Sequence, residues 1–346
     1  MFKNFLNKEL KNSLFIIIAG LLVIFFISCS DKTTNPPQST EADLLVPYLE
    51  SMVEISPFLN TLSSCIFPQP TDIRTHALAG DQNWVVIDIR SADKFAAGHI
   101  KSAVRVDFEN LLSYYSSNSL KSKSKVFVVC ENGLKSGYAV SLLRINGATN
   151  VYSLNFGMSS WNSKCDSWTT NTGSEYENQI STSDDKKPSS TYSLPSLTTG
   201  KTTGIEIAQT RVADLFSKGF DVATIDAKTL MPNLSNYFVV TYWPNAYYLD
   251  PGHIPGSYNF QPKTADNATS DLMFSTYLRL LPPTKTIVLC DYTGQVSAYV
   301  VAYLRSIGYD AKLLLYGGNS IYYNKLKSNS LTTWASSNIK EYELEQ

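Results

Sequence analysis

One pattern occurs twice along this chain of 346 residues, and it restricts the fold to a pair of similar units. Gly98-His99-Ile100-Lys101-Ser102-Ala103 is answered by Gly252-His253-Ile254-Pro255-Gly256-Ser257. Further on, Lys125 to Ser136 parallels Thr286 to Ser297, and each stretch carries a cysteine, Cys130 or Cys290, behind an apolar run. Ser136 and Ser297 then open periodic apolar stretches, Gly137 to Asn146 and Ala298 to Ile307. Both contain Leu-Arg (Leu143-Arg144, Leu304-Arg305) and stop at Gly147 or Gly308, residues that end helices readily. Short runs follow, reaching Phe156-Gly157 and Tyr316-Gly317.

Trp84 to Ile89, Val126 to Val129 and Val151 to Leu154 are continuous β-rich apolar runs, as are Tyr237 to Tyr242, Ile287 to Leu289 and Lys312 to Leu315. Runs without polar alternation suit strands buried on both faces of a parallel sheet. Helical stretches alternate with them, so each half is predicted to be α/β, a mostly parallel sheet flanked by helices. Residues 169–203 are rich in Ser, Thr, Asp and Lys, with Pro188 and Pro195, and read as a polar linker. This divides the body into domains at 51–168 and 204–346.

Both cysteines end a strand and begin a tight loop that feeds a helix. Ligands bind at the carboxyl ends of parallel strands. A helix N-terminus adds unpaired N–H groups and partial positive charge, which predicts a lowered thiol pKa and a nucleophilic thiolate.

At these residues the chain resembles the rhodanese family. Asp88-Ile89-Arg90, Gly98-His99-Ile100, the loop Cys130-Glu131-Asn132-Gly133-Leu134-Lys135-Ser136, then Gly157 and Trp161, stand in the family's order. The resemblance covers residues 71–161 and, more weakly, 223–325. It implies a tandem rhodanese-like protein and a sulfurtransferase. A cysteine thiolate takes sulfane sulfur from a small donor such as thiosulfate, becomes a persulfide, and passes the sulfur to a thiol or cyanide; no cofactor or metal is needed. On this reading Cys130 is the better catalytic candidate and Cys290 the second. Residues Glu131, Asn132, Gly133, Leu134, Lys135 and Ser136 would bind substrate, with Lys135 in the place of the family's closing cation. Asp88, Arg90 and His99 are read as structural support, and Glu131 either biases the donor choice or is solvated.

The second copy departs from the pattern. Its loop counts one residue more between Cys290 and Ser297, Val296 replaces the cation, and counting back from His253 puts Tyr242 and Pro244 at the places of Asp88 and Arg90. A longer loop is also a feature of cysteine-based phosphatases and arsenate reductases, but those need a closing Arg for a tetrahedral oxyanion, which Val296 does not supply. The alternative to an enzyme is a non-catalytic binding module, or a persulfide or redox sensor.

The N-terminus adds an address. Lys3, Lys8 and Lys11 precede the apolar run Leu14 to Ile27, shorter than a bilayer span of about 20 residues. Phe26-Ile27-Ser28-Cys29 resembles a bacterial lipobox. Residues 1–28 are therefore expected to be a lipoprotein signal peptide, with Cys29 lipidated, residues 29–50 a flexible tether, and the body held at the bacterial cell envelope by its N-terminal lipid. An uncleaved anchor would give the same side. The envelope permits a Cys65–Cys165 disulfide, and two free thiols fit the sequence equally. Net charge is −1 with Lys and Arg scattered, which argues against a nucleic-acid partner. The three histidines, far apart in the chain, argue against a metal site.

Overall fold

The computed structural model describes residues 39–52, 58–60, 66–185 and 187–346; the apolar N-terminal run, Cys29 and Cys65 lie outside the described residues. In chain order, α1 (Glu41–Glu50) and α2 (Pro70–Ala79) precede β1 (Trp84–Asp88), α3 (Ala92–Ala97), β2 (Val104–Arg105), α4 (Leu111–Ser117), β3 (Lys125–Val129), α5 (Leu134–Ile145) and β4 (Val151–Ser153). The second half runs α6 (Gly204–Lys218), β5 (Thr224–Ile225), α7 (Ala227–Leu230), β6 (Tyr237–Thr241), α8 (Asn245–Leu249), β7 (Tyr258–Asn259), β8 (Thr286–Cys290), α9 (Gln295–Ile307), β9 (Ala311–Leu314) and α10 (Tyr323–Ser328). Both sheets are parallel throughout, ordered β2-β1-β3-β4 and β5-β9-β8-β6-β7. The six apolar runs all become strands, and β3 and β8 are buried from their second residue onward, as a sheet covered on both faces requires.

The boundaries differ from expectation in three places. Residues 41–50, expected within the flexible tether, form α1. Thr40 and Asp43 cap it reciprocally, and Ala42, Leu45, Val46 and Leu49 give it one buried face. The polar segment after residue 169 is not a free spacer. Gly173 N donates to Asn319 O, Tyr176 N donates to Ile321 O, and Ser181 and His253 exchange backbone bonds at 2.8 Å. The tail after α10, expected with the second domain, lies on the first. Lys340 N donates to Ser160 O, Tyr342 N donates to Trp161 O, and His99 and Glu345 exchange backbone bonds at 2.9 Å. Each domain's trailing segment thus covers the other domain.

The two halves also share a core. Helices α5 and α9 pack together, and Ser141 Oγ donates to Tyr299 O at 2.7 Å across them. One continuous buried cluster holds Val140 and Leu143 beside Val301 and Leu304. Phe216 of α6 joins it against Phe108, ring centroids 5.1 Å apart. Packing of this kind leaves each sheet's C-terminal edge, where the two loops stand, close to the junction.

Candidate active site

Strand pairing fixes which loop residues correspond. Asp88 is opposite Val129, and Thr241 is opposite Cys290. Ile89 N donates to Val129 O as Tyr242 N donates to Cys290 O. Past the strand, Met158 N donates to Cys130 O where Gly318 N donates to Asp291 O. Cys290 therefore occupies the place of Val129, and Asp291 that of Cys130. The extra residue expected in the second loop vanishes with this pairing, and with it the likeness to the longer oxyanion loops. Thr241 and Trp243, not Tyr242 and Pro244, stand at the places of Asp88 and Arg90, because the stretch from β6 to Gly252 is one residue longer than that from β1 to Gly98.

Cys290 is a core residue. It packs with Trp243, Tyr248, Ile254 and Tyr322, and Sγ makes a weak contact with Asp291 O at 3.6 Å. Burial pushes its thiol well above the ordinary range, and the Asp291 charge adds to this. In the loop itself Asp291 accepts from Ser297 N at 3.0 Å and Thr293 N at 3.2 Å. A carboxylate fills the position that the first domain gives to a sulfur.

Cys130 meets a ring of donors. Gly133 N and Ser136 N donate to Sγ at 3.2 and 3.3 Å, and Ser136 Oγ lies 3.2 Å away, itself 2.7 Å from Ser153 Oγ. Gly133, at φ 85°, turns the chain into α5 and makes this nest of N–H groups possible. The turn after β4 closes it from below. Gly157 has φ 60°, and a Cβ there would stand 2.5 Å from Cys130 O and 2.6 Å from the nitrogens of Asn132 and Gly133.

The other loop residues have separate tasks. Leu134 N is taken by Asn132 Oδ1 at 3.1 Å, and Asn132 Nδ2 donates to Tyr316 Oη at 3.0 Å. Glu131 pairs with Lys94 at 2.8 Å; burial opposes its ionisation, but this bond and the Lys94 and Lys135 charges hold it below the usual carboxylate range. The positive charge of Lys135 thus acts on Glu131. The expected lowering of the Cys130 pKa is not met. Cys130 is 0% exposed, and burial pushes the thiol up. Glu131 adds to the rise, while the Ser136 hydroxyl and the loop N–H groups pull the other way. Desolvation outweighs the helix N-terminus here.

Asp88 and Arg90 form a buried pair at 2.6 Å, and Arg90 Nη2 donates to Gly98 O at 2.8 Å, which ties the pair to the Gly98-His99 turn. His99 Nδ1 meets Phe95 O at 3.0 Å. Cys165 carries a free thiol 3.7 Å from Arg90 Nη1. A cavity of about 540 Å³ opens beside the second loop, lined among others by Tyr242, Trp243, Asp291, Gln295, Phe67 and Asn155. It lies at the loop that carries Asp291 in the place of Cys130. Asp291, Gln295, Trp168 and Tyr316 were not legible as site residues. Asp291 was hidden by the adjacent Cys290, and the others reach the loop only through tertiary packing.

A profile of the rhodanese-like domain matches twice, at residues 74–164 and 235–325, together more than half of the chain. YqhL of Bacillus subtilis, an uncharacterised protein, is 33% identical over 86 residues, covering 25% of this chain and 67% of its own. The thiosulfate sulfurtransferase GlpE of Pseudomonas fluorescens is 37% identical over 81 residues, 23% of this chain and 72% of that protein. Among solved structures, the 3-mercaptopyruvate sulfotransferase SseA of Escherichia coli aligns over 72% of this chain and 97% of its own, with 19% identity and a TM-score of 0.27. Motif order, two parallel sheets and the doubled profile match agree: the chain belongs to the rhodanese-like domain family and carries that domain twice.

Proposed function

We propose that this chain is a sulfurtransferase working through Cys130 alone. The thiolate attacks the outer sulfur of a donor such as thiosulfate; the donor's S–S bond breaks, sulfite leaves and Cys130 carries a persulfide. A thiol or cyanide acceptor then attacks the outer sulfur, and the Cys130 thiolate returns. The observation that carries this reading is the convergence of Gly133 N, Ser136 N and Ser136 Oγ on Cys130 Sγ at the end of a parallel strand. The names of the GlpE relatives agree with it. The test is turnover of thiosulfate with cyanide by the full chain, with intact-mass detection of one added sulfur. Both signals are expected to vanish in Cys130→Ser and to persist in Cys290→Ala. Loss with Cys290→Ala alone would reverse the assignment.

A second reading is a rhodanese-like binding module or a persulfide or redox sensor. It is favoured by the full burial of Cys130 and the upward push on its thiol. Absence of both turnover and sulfur adduct, with thiosulfate and with a persulfide donor, would select the binding module. A stable adduct without turnover would select the sensor. We also propose that Cys29 is lipidated and tethers the body to the cell envelope, on the strength of the Leu14 to Cys29 sequence. Incorporation of labelled palmitate, lost in Cys29→Ala, is the result expected; equal labelling of that variant would overturn it.

A further inference from the structure

The Cys130 loop is gripped from the other half of the chain. Tyr316, in the turn after β9, sets its hydroxyl 3.0 Å from Asn132 Nδ2 and accepts from it. With the amide so oriented, Asn132 Oδ1 accepts from Leu134 N at 3.1 Å, in the first turn of α5. Trp168 supports both: Nε1 donates to Asn132 O at 3.2 Å, and its ring meets that of Tyr316 edge-on, centroids 4.9 Å apart. Beside them Gln295 Oε1 accepts from Phe156 N at 2.7 Å, and a Cβ added to Gly133 would overlap that same oxygen. Gly133 N is one of the donors to Sγ. Side chains of a domain whose own loop holds Asp291 in place of a thiol thus bond to Asn132 and stand close against Gly133.

Building on the sulfur-transfer reading of Cys130, we propose that the second domain serves the first as a clamp. Tyr316 and Gln295 are positioning residues that hold Asn132 and Gly133 so that the loop N–H groups converge on the sulfur at Cys130. Both act through the loop. The loop must hold a thiolate, then a persulfide one sulfur longer, then a thiolate again. Donors that are already aimed need no reorganisation between these states, and donors left loose slow the steps that create charge on sulfur.

The test is alkylation of Cys130 by iodoacetamide in the full chain, followed against pH by peptide mass spectrometry, beside turnover with thiosulfate and cyanide. Alkylation forms an S–C bond with loss of iodide and reports the thiolate whether or not the chain transfers sulfur. Failure of the clamp and failure of the sulfurtransferase reading are therefore separate results. Tyr316→Phe keeps the ring and removes the hydroxyl. It is expected to lower the alkylation rate at neutral pH and kcat by about two- to tenfold, the range of one hydrogen bond, with KM for thiosulfate little changed. The alkylation midpoint should move to higher pH, and adding Tyr316→Phe to Asn132→Ala should cost nothing further. Gln295→Ala, acting on Gly133, gives an independent arm with the same expected direction. Unchanged midpoints in both variants would overturn the clamp, as would faster alkylation, the sign of a lid, or additive losses with Asn132→Ala.

Discussion

Asp291 and Cys130 take the same place in two loops of equal length, and each accepts from backbone N–H groups of its loop. Asp291→Cys is expected to place a thiol among the second loop's N–H groups and, with a sulfur donor, to add one sulfur to the intact mass in a Cys130→Ser background. A variant that folds and takes up no sulfur would show that the second loop lacks more than its nucleophile. Both thiols are buried, but Cys290 Sγ lies among apolar side chains with one weak contact to Asp291 O, whereas loop N–H groups face Cys130, so Cys290 should react with iodoacetamide more slowly than Cys130 in the folded chain. Charge around Cys130 has a definite sign. Burial first, and Glu131 next, hold its thiol above the ordinary range, so Glu131→Gln should lower the alkylation midpoint and speed reaction at neutral pH. The raised pKa also affects stability. The folded state keeps this proton to higher pH than the unfolded chain does. That contribution is complete below the unfolded thiol value of about 8.5 and is lost as pH rises through the higher folded one. Urea midpoints should therefore fall more steeply above about pH 8.5 in the wild type than in Cys130→Ala.

Between residue and fold stand the loop and the turn beneath it. Gly157→Ala would force a methyl group against Cys130 O and two loop nitrogens at a positive φ, where a side chain is strained. A loss of about 2 kcal/mol or more is expected from such a combination of overlap and backbone strain, together with loss of sulfur transfer, checked by urea titration and turnover. The strands that build this arrangement were legible because Val85-Val86-Ile87 and Val126-Phe127-Val128-Val129 leave no polar position for a solvated face. Helix ends were legible from Gly147 and Gly308. The loop of the first copy was legible as well, since its nest depends on local chain geometry around Gly133. The second loop was misread by one residue, because Cys290 and Asp291 are neighbours and only strand register decides which of them enters the ring. The role of α1 was missed for a different reason: its face is apolar in a stretch that begins with polar, Pro-containing sequence, and its partner α6 lies far along the chain. Thr40→Ala should remove the cap of this helix at a cost of about 1 kcal/mol, measured as a shift in urea midpoint.

At the scale of the molecule, the shared core and the exchanged trailing segments make the two domains one structural body, and residues 39–346 form a single compact unit. Unfolding is expected to be one transition, with far-ultraviolet circular dichroism and tryptophan fluorescence coinciding in urea; two separated transitions would mean that the junction contributes little. The crossing of the trailing segments also sets a timetable for the newborn chain. The Gly98 turn is made early, yet Glu345, whose carboxylate accepts from Ser102 N, lies 243 residues further on. At about 5–20 residues per second, the ribosome needs on the order of ten to fifty seconds to deliver it. Through that interval the half bearing Cys130 lacks the outer wall that residues 340–345 build on Ser160, Trp161 and His99. Cys130 is made early in translation, and the wall over its half of the chain is completed only when the tail arrives.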